Sequence, residues 1–288
     1  MSEKIFMPKR LLGRTGVKLS MIGLGGIVVM NERPGKVEKL VQESIEAGIN
    51  YFDVAPSYGD AEVKLGPVLK PWRKEVFLAC KTGQRDKNGA WEELQSSLRK
   101  LQTDRIDLYQ LHGLMTEKDT ETALGKGGAI EAFLRAKKEG IIKYIGFSTH
   151  FPKVALKAMR EFDFDTLLYP INFVIHFQNH SEEAVLAEAK KRCLGVLALK
   201  AMAKQPWLKD ADRKQHPKCW YQPIVEPELA ELALYWALTQ GITAALPPGD
   251  EQVYRNALKF ALECRKLTET EIDKLKRIAA GLNPIFSD

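Results

Sequence analysis

The sequence predicts an α/β protein of the (β/α)₈ TIM-barrel class, and three observations carry that reading. Eight short apolar runs alternate with segments of helical period along the chain. The length of 288 residues is typical of such a barrel. The main competitor, an open doubly wound sheet, predicts a GxGxxG turn after the first strand. Here that stretch reads GLGGIVVMNERPG and lacks the spacing.

The expected strands are Ser20–Gly25, Asn50–Ala55, Val76–Thr82, Asp107–His112, Tyr144–Thr149, Thr166–Asn172, Gly195–Lys200 and Ile242–Leu246. They are almost continuously apolar, as parallel strands covered on both faces must be. Between them run helical stripes such as Val37/Leu40/Val41/Ile45, Trp91/Leu94/Leu98/Leu101 and Leu229/Leu232/Ala233/Trp236. Helices two and five fall near Asp60–Leu69 and Pro152–Phe162. Thr268 and Glu271 fit a capping box that opens an extra, C-terminal helix. No repeat, low-complexity tract or linker interrupts residues 1–288, so one barrel domain is expected.

Composition narrows the function. With 45% hydrophobic and 28% charged residues the chain is globular. Its formal charge of +6 is spread over helix faces, which suits a solvated surface and not a nucleic-acid groove. Cys80, Cys193, Cys219 and Cys264 show no ligand spacing and read as reduced thiols. The charged N-terminus lacks a signal-peptide core, and no apolar run could span a bilayer. A cytoplasmic protein without nucleic-acid or membrane partners is expected, its oligomeric state open.

Two long connections, Leu114–Gly128 and Ala203–Val225, follow strands and should lie at the C-terminal mouth, where barrel active sites form. Trp207, Trp220 and Tyr221 in the second either line an apolar pocket or pack the loop onto the barrel. Four reactive side chains converge on the same mouth. The stretch GINYFDVAPSYG delivers Asp53 on a strand and Tyr58 on the following turn; Lys81 stands near the end of the third strand and His112 at the end of the fourth. Each residue alone has a structural explanation. Together they suit proton transfer to a carbonyl oxygen: an ammonium lowers a neighbouring phenol's pKa, a carboxylate holds the ammonium, and an imidazole orients the carbonyl. None can give a hydride, so a cofactor must. A metal-dependent hydrolase would need several His and acidic ligands at strand ends. Only His112, with His150 and His176 as outside candidates, lies near one, so no metal is expected.

The chain resembles an aldo-keto reductase over essentially its whole length. KRLLGRTGVKLSMIGLGG resembles the family's N-terminal hairpin and first strand; GINYFDVAPSYG resembles its most specific signature; LACKTG and LYQLHG place Lys81 and His112 as the family does. The resemblance implies NAD(P)H-dependent reduction of an aldehyde or ketone, with Tyr58 as general acid, Lys81 tuning it, Asp53 pairing with Lys81, and His112 orienting the carbonyl. It also implies a cofactor grip with substitutions: Ser148 and Thr149 for the family's Ser-Asn pair, Asn172 for a Gln on strand six, and Leu199 for a stacking aromatic. Lys200 would be a pyrophosphate ligand or a solvated strand end. After strand eight, Leu246-Pro-Pro-Gly-Asp-Glu251 replaces the family's Pro-Lys-Ser, so Pro248, Gly249, Glu251 and Arg255 become the candidates there. Asp250 reads as a helix N-cap. NADP is favoured from the family habit, with NAD possible. The rival within this family is a nicotinamide-binding, redox-sensing subunit with slow turnover.

Overall fold

The computed structural model describes residues 6–209 and 211–286. The chain opens with an antiparallel hairpin, β1 (Lys9–Leu11) and β2 (Lys18–Ser20). Eight parallel strands follow: β3 (Leu24–Gly25), β4 (Tyr51–Asp53), β5 (Phe77–Thr82), β6 (Ile106–Leu114), β7 (Ile142–Thr149), β8 (Thr166–Pro170), β9 (Gly195–Leu199) and, after a further hairpin, β12 (Ala244–Ala245). They pair in that order. A parallel bridge between Ile22 and Ala245 joins the last strand to the first and closes the barrel. Two backbone bonds flank the seam, Gly23 N–H to Ala245 O at 3.0 Å and Ala245 N–H to Met21 O at 2.9 Å.

The first and last barrel strands are shorter than their sequence patterns suggest, for local reasons. Ser20 pairs with Lys9 in the hairpin and spends its hydroxyl on Ile22 O and its amide on Asn50 Oδ1, so this stretch becomes barrel strand only from Leu24 on. Pro247 and Pro248 end β12 because neither has an N–H to give.

Helices wrap the sheet: α1 (Pro34–Glu46), α2 (Ala61–Leu69), α3 (Lys87–Lys100), α5 (Ala129–Lys138), α6 (Pro152–Glu161), α8 (Glu183–Lys191), α9 (Pro227–Leu238) and α10 (Glu251–Leu262). Three more are additions. The connection 114–128 folds into α4 (Glu117–Leu124), capped by Thr116. The short α7 (Phe173–Asn179), not anticipated from the sequence, follows β8. Finally α11 (Glu269–Ala280) starts with the capping box of Thr268 and Glu271. The connection 203–225 is also ordered in part, as the hairpin β10 (Ala203–Pro206) and β11 (Tyr221–Pro223). No helix among the described residues is long and apolar enough to cross a membrane.

Strand alternation splits the buried residues into two cores. Phe52, Leu78, Tyr109, Ile145, Leu167 and Val196 point outward and pack under the helices. Tyr51, Phe77, Leu108, Leu168 and Leu197 point inward and fill the lumen with Leu12 and Leu19 of the N-terminal hairpin. The hairpin therefore plugs one end of the barrel. Gly13 is required there: its φ is +51°, and a Cβ would lie 2.3 Å from the amide nitrogen of Gly195. Above the apolar layers the inward positions turn polar, with Asp53, Lys81 and Gln110 on three adjacent strands.

Candidate active site

The same alternation explains why these polar residues meet. Tyr51 and Asp53 share the inner face of β4, Ala79 and Lys81 that of β5, and Gln110 and His112 that of β6. Register sets Asp53 beside Ala79 and Lys81 beside Gln110. Beyond β4 the chain turns at Pro56. Tyr58 N–H bonds Ala55 O at 3.0 Å, and Gly59 leaves with φ +55°, where a side chain would press on Met30. The turn aims Tyr58 back across the mouth.

Lys81 is fully buried, with its ammonium hydrogen-bonded to Asp53 Oδ1 and donating to Val54 O at 3.2 Å. Asp53 Oδ2 accepts from Tyr51 Oη at 3.1 Å and Gln110 Nε2 at 3.2 Å. A buried ion pair is tolerable when its remaining lone pairs are satisfied, and here both carboxylate oxygens are. Lys81 Nζ lies 5.1 Å from the centre of the Tyr58 ring, and the His112 ring meets that ring edge-on at 5.7 Å. Ser57 Oγ is 3.5 Å from His112 Nδ1.

Burial would push the Lys81 ammonium down, but Asp53 and Tyr58 outweigh it and leave its pKa raised. The charge is therefore fixed. For Tyr58 burial is the larger effect, and it pushes the phenol up while Lys81 pulls it down. The sequence argument anticipated a lowered phenol; with only protein around it, burial prevails. His112 is pushed down to about 3 by burial and by the neighbouring Lys81 and Arg85, so its imidazole is neutral.

The mouth opens into a cleft lined by Asp53, Tyr58, Leu199, Lys200, Trp220 and Gly249, among others. Lys200 sits there with φ +64°, its ammonium 4.7 Å from the ring centres of both Trp220 and Tyr221. Burial pushes its pKa down to about 8, and among the described residues it has no carboxylate partner. Trp220 also touches Phe286, which stacks on His150 at 4.3 Å. Of the three aromatic residues in the long connection, then, Trp220 and Tyr221 line the cleft; Trp207 packs the loop, donating to Cys219 O at 2.7 Å.

Past Gly249 the cleft continues into a polar recess containing Glu32, Lys36, His216, Lys218, Glu251 and Arg255. Every one of these charged groups is paired. Lys36 bridges Glu32 and Glu251, at 3.0 and 2.8 Å; Arg255 bridges Glu43 and Glu251, at 2.7 and 2.9 Å; Lys218 holds Glu32 at 2.6 Å and Val28 O at 2.7 Å. Burial raises the Glu251 pKa, but Lys36 and Arg255 overcome that and keep it low. Asp250 caps α10 through Val253 N–H, as its sequence position indicates, and its other oxygen meets His216 Nδ1 at 2.8 Å. Gly249 has to be glycine, since a Cβ would lie 2.0 Å from Ile27 Cγ2.

Three comparisons bear on this arrangement. The Aldo/keto reductase family matches residues 22–280. The chain belongs to the aldo/keto reductase family. It is 30% identical to an uncharacterized oxidoreductase, YqkF, of Bacillus subtilis over 94% of this chain and 96% of that one. It is 34% identical to the methylglyoxal reductase DkgA of Escherichia coli, over 46% of each chain. Its fold superposes on aldo-keto reductase AKR11C1 from Bacillus halodurans, holo form, with a TM-score of 0.74 and 24% identity, covering 94% of this chain and 96% of that one. The protein is thus an oxidoreductase of this family.

Within that frame the structure gathers Asp53, Tyr58, Lys81 and His112 at one mouth, with Leu199, Lys200 and Gly249 lining its cleft and Glu251 and Arg255 in the adjoining recess. It treats the remaining expected cofactor contacts differently. Asn172 is buried and spends its whole amide on the protein: Nδ2 donates to Lys200 O and Ala203 O, and Oδ1 accepts from Val174 and Ile175 N–H as the cap of α7. It has no donor or acceptor to spare for a ligand. Thr149 points outward from β7, giving its hydroxyl to Leu114 O at 2.7 Å and accepting from Phe151 N–H. Ser148 accepts from Gly113 N–H at 2.8 Å, and Pro248 is buried and does not line the cleft, unlike its neighbours Pro247 and Gly249. Of the expected carboxamide contacts only Ser148 both faces the lumen and keeps a lone pair to offer. The residues that sequence reasoning passed over, Tyr51 and Gln110, were signalled by alternation: each is two positions before a residue already singled out.

Proposed function

We propose that this protein reduces an aldehyde or ketone to the alcohol, with a nicotinamide dinucleotide as hydride source and Tyr58 as proton donor. The observation that carries this reading is the buried Lys81–Asp53 pair set against the Tyr58 ring. A raised Tyr58 pKa keeps the phenol protonated at neutral pH, so it holds the proton it must give. As that proton leaves, negative charge grows on the Tyr58 oxygen beside a permanently charged ammonium, in a site where little water competes. Asp53 keeps Lys81 charged and fixed. Neutral His112 donates a hydrogen bond to the carbonyl oxygen without titrating during the reaction.

The residues of the cleft and recess would receive a dinucleotide along their length. Lys200 is a half-buried cation with no anionic partner among the described residues, which a pyrophosphate would supply, and the Gly249 backbone leads on to the N-terminus of α10. Leu199 and Leu246 give an apolar wall for a nicotinamide, and the polar recess would take the adenosine ribose. When bound, the cofactor supplies the hydride. NADPH is favoured and NADH is accepted, because the cations of the recess are already paired with carboxylates. The aromatic surround of Trp220, Phe286 and His150 suits a small uncharged carbonyl compound, and the relative named for methylglyoxal makes short 2-oxoaldehydes the first to try.

The test is carbonyl-dependent NADPH oxidation by the wild type and Tyr58→Phe, over a panel of aldehydes and ketones. Loss of the acidic proton should lower the rate about 10²–10⁴-fold with cofactor affinity unchanged. A Tyr58→Phe rate within a few-fold of the wild type would remove Tyr58 from the chemistry.

A further inference from the structure

Away from the mouth, α7 and the turn after it carry a second cluster of reactive side chains. His176 and His180 are one helical turn apart, and Glu183 opens α8 just beyond. One donor atom from each of the three lies within 4.8 Å of the others. The two imidazole rings have centres 4.7 Å apart, and His180 Nδ1 is 2.9 Å from Glu183 Oε1. We propose that His176, His180 and Glu183 bind a divalent transition-metal ion of the zinc class.

A surface cluster of this kind can arise without a function, but a buried residue behind it points to a ligand. Glu182 is only 2% exposed, and its Oε1 lies 2.5 Å from His176 Nδ1. Metal-binding histidines commonly donate one ring N–H to a carboxylate, which fixes the tautomer, turns the other nitrogen outward and makes it more basic. Glu182 stands in that place. Its second oxygen is buried without a hydrogen-bond partner among the described residues, so His176 alone does not satisfy this carboxyl group. A dication held by His176 and Glu183 would balance both Glu182 and Glu183. Two imidazoles and a carboxylate suit zinc, cobalt(II) or nickel(II) better than calcium or magnesium, which want all-oxygen shells. Three protein ligands leave a fourth position to water.

The ion would tie the C-terminal end of α7 to the start of α8. It touches no residue of the mouth, so this inference is independent of the proposed reduction. The experiment uses tag-free, chelator-treated full-length protein titrated with zinc chloride, and in parallel with cobalt(II) chloride followed by visible absorption. Expected are one ion per chain, a rise in melting temperature, and a cobalt spectrum of four-coordinate intensity. Single variants His180→Ala and Glu183→Ala, at exposed positions that should fold normally, are each expected to weaken zinc binding at least about tenfold. Glu182→Gln should weaken it by about 10–100-fold, the usual effect of losing a carboxylate behind a liganding histidine. No stoichiometric binding at tens of micromolar zinc (on the order of the weakest useful affinity), or binding that both exposed variants retain in full, would overturn the site. If Glu182→Gln fails to fold, the exposed variants still decide.

Discussion

The phenol of Tyr51 reaches forward along its own strand and donates a hydrogen bond to Asp53 Oδ2 at 3.1 Å. Tyr51 is fully buried, and burial with the nearby Asp53 charge holds its hydroxyl far above the ordinary phenol range. It is a permanent donor, and with Gln110 it fixes the carboxylate on which Lys81 depends. Tyr51→Phe keeps the ring and removes only that bond. A hydrogen bond to a charged group is worth about 1.5–3 kcal/mol. Denaturant unfolding should show a loss of that order, and carbonyl reduction should fall roughly 10-fold or more as Lys81 loses its fixed partner. A positioning role further requires that the alkaline limb of the pH–rate profile move. A purely structural Tyr51 would leave that limb in place.

Asn172 supports a second expectation. Its side chain caps α7 and clamps the backbone of Lys200 and Ala203. Asn172→Ala should therefore cost about 2 kcal/mol from the lost cap and the unsatisfied carbonyls. It should also weaken dinucleotide binding through Lys200, whose φ of +64° has no glycine to ease it. Fluorescence titration with NADPH checks this. If Asn172 were instead a direct cofactor contact, Asn172→Asp would abolish binding while leaving thermal stability near that of the wild type.

Acid should unfold the protein early, because His112 and His150 are held neutral with pKa values of about 3 each, chiefly by burial. The unfolded chain takes up protons at these histidines near pH 6.5, while the folded chain does not until near pH 3. Stability is therefore constant above about pH 6.5 and falls as the pH drops toward 3, by at most about 1.4 kcal/mol per pH unit for each imidazole. His150→Phe, which keeps an aromatic partner for Phe286, should flatten part of that slope. An unchanged slope in this variant would show that His150 protonates freely in the fold.

Cofactor choice should respond to Glu251. That carboxylate occupies both Lys36 and Arg255 at the edge of the recess. Glu251→Gln removes its charge and leaves Lys36 with Glu32 and Arg255 with Glu43 as single partners, so that each cation can turn part of its charge to a 2′-phosphate, for about 1 kcal/mol when partly exposed. The NADPH-to-NADH ratio of kcat/KM, expected on the order of tenfold in the wild type, should rise roughly another tenfold. Arg255→Ala should lower it. A ratio indifferent to both substitutions would place the 2′-phosphate elsewhere.

Most of the barrel was legible because parallel strands covered on both faces leave nearly continuous apolar runs, and eight of them stood in alternation with helical stripes. The tetrad was legible for a related reason: barrel topology sends every strand end to one mouth, so Asp53, Lys81 and His112 needed only their places at strand ends. Asn172 and Thr149 make protein contacts that the sequence did not foretell, because sequence shows which groups a side chain owns and not where it has spent them. A hydroxyl three residues before a proline and an amide before a short helix are ordinary caps and turns, and both act as such. The short helix α7 escaped because seven residues with aromatic and apolar side chains all round, FVIHFQN, carry no helical stripe. The charge pairing of the recess depends on residues from three distant segments, Glu32–Glu43, Lys218 and Glu251–Arg255, which no spacing rule connects.

The plug formed by Leu12 and Leu19 has a kinetic consequence. A barrel stoppered at one end is a vessel with a single doorway. Two guests that use it in one turnover have to queue, and the one seated deeper enters first and departs last. If the proposed reduction runs here, order of binding would be imposed by architecture before any affinity is considered, and product would have to clear the doorway before a spent deeper guest could be exchanged.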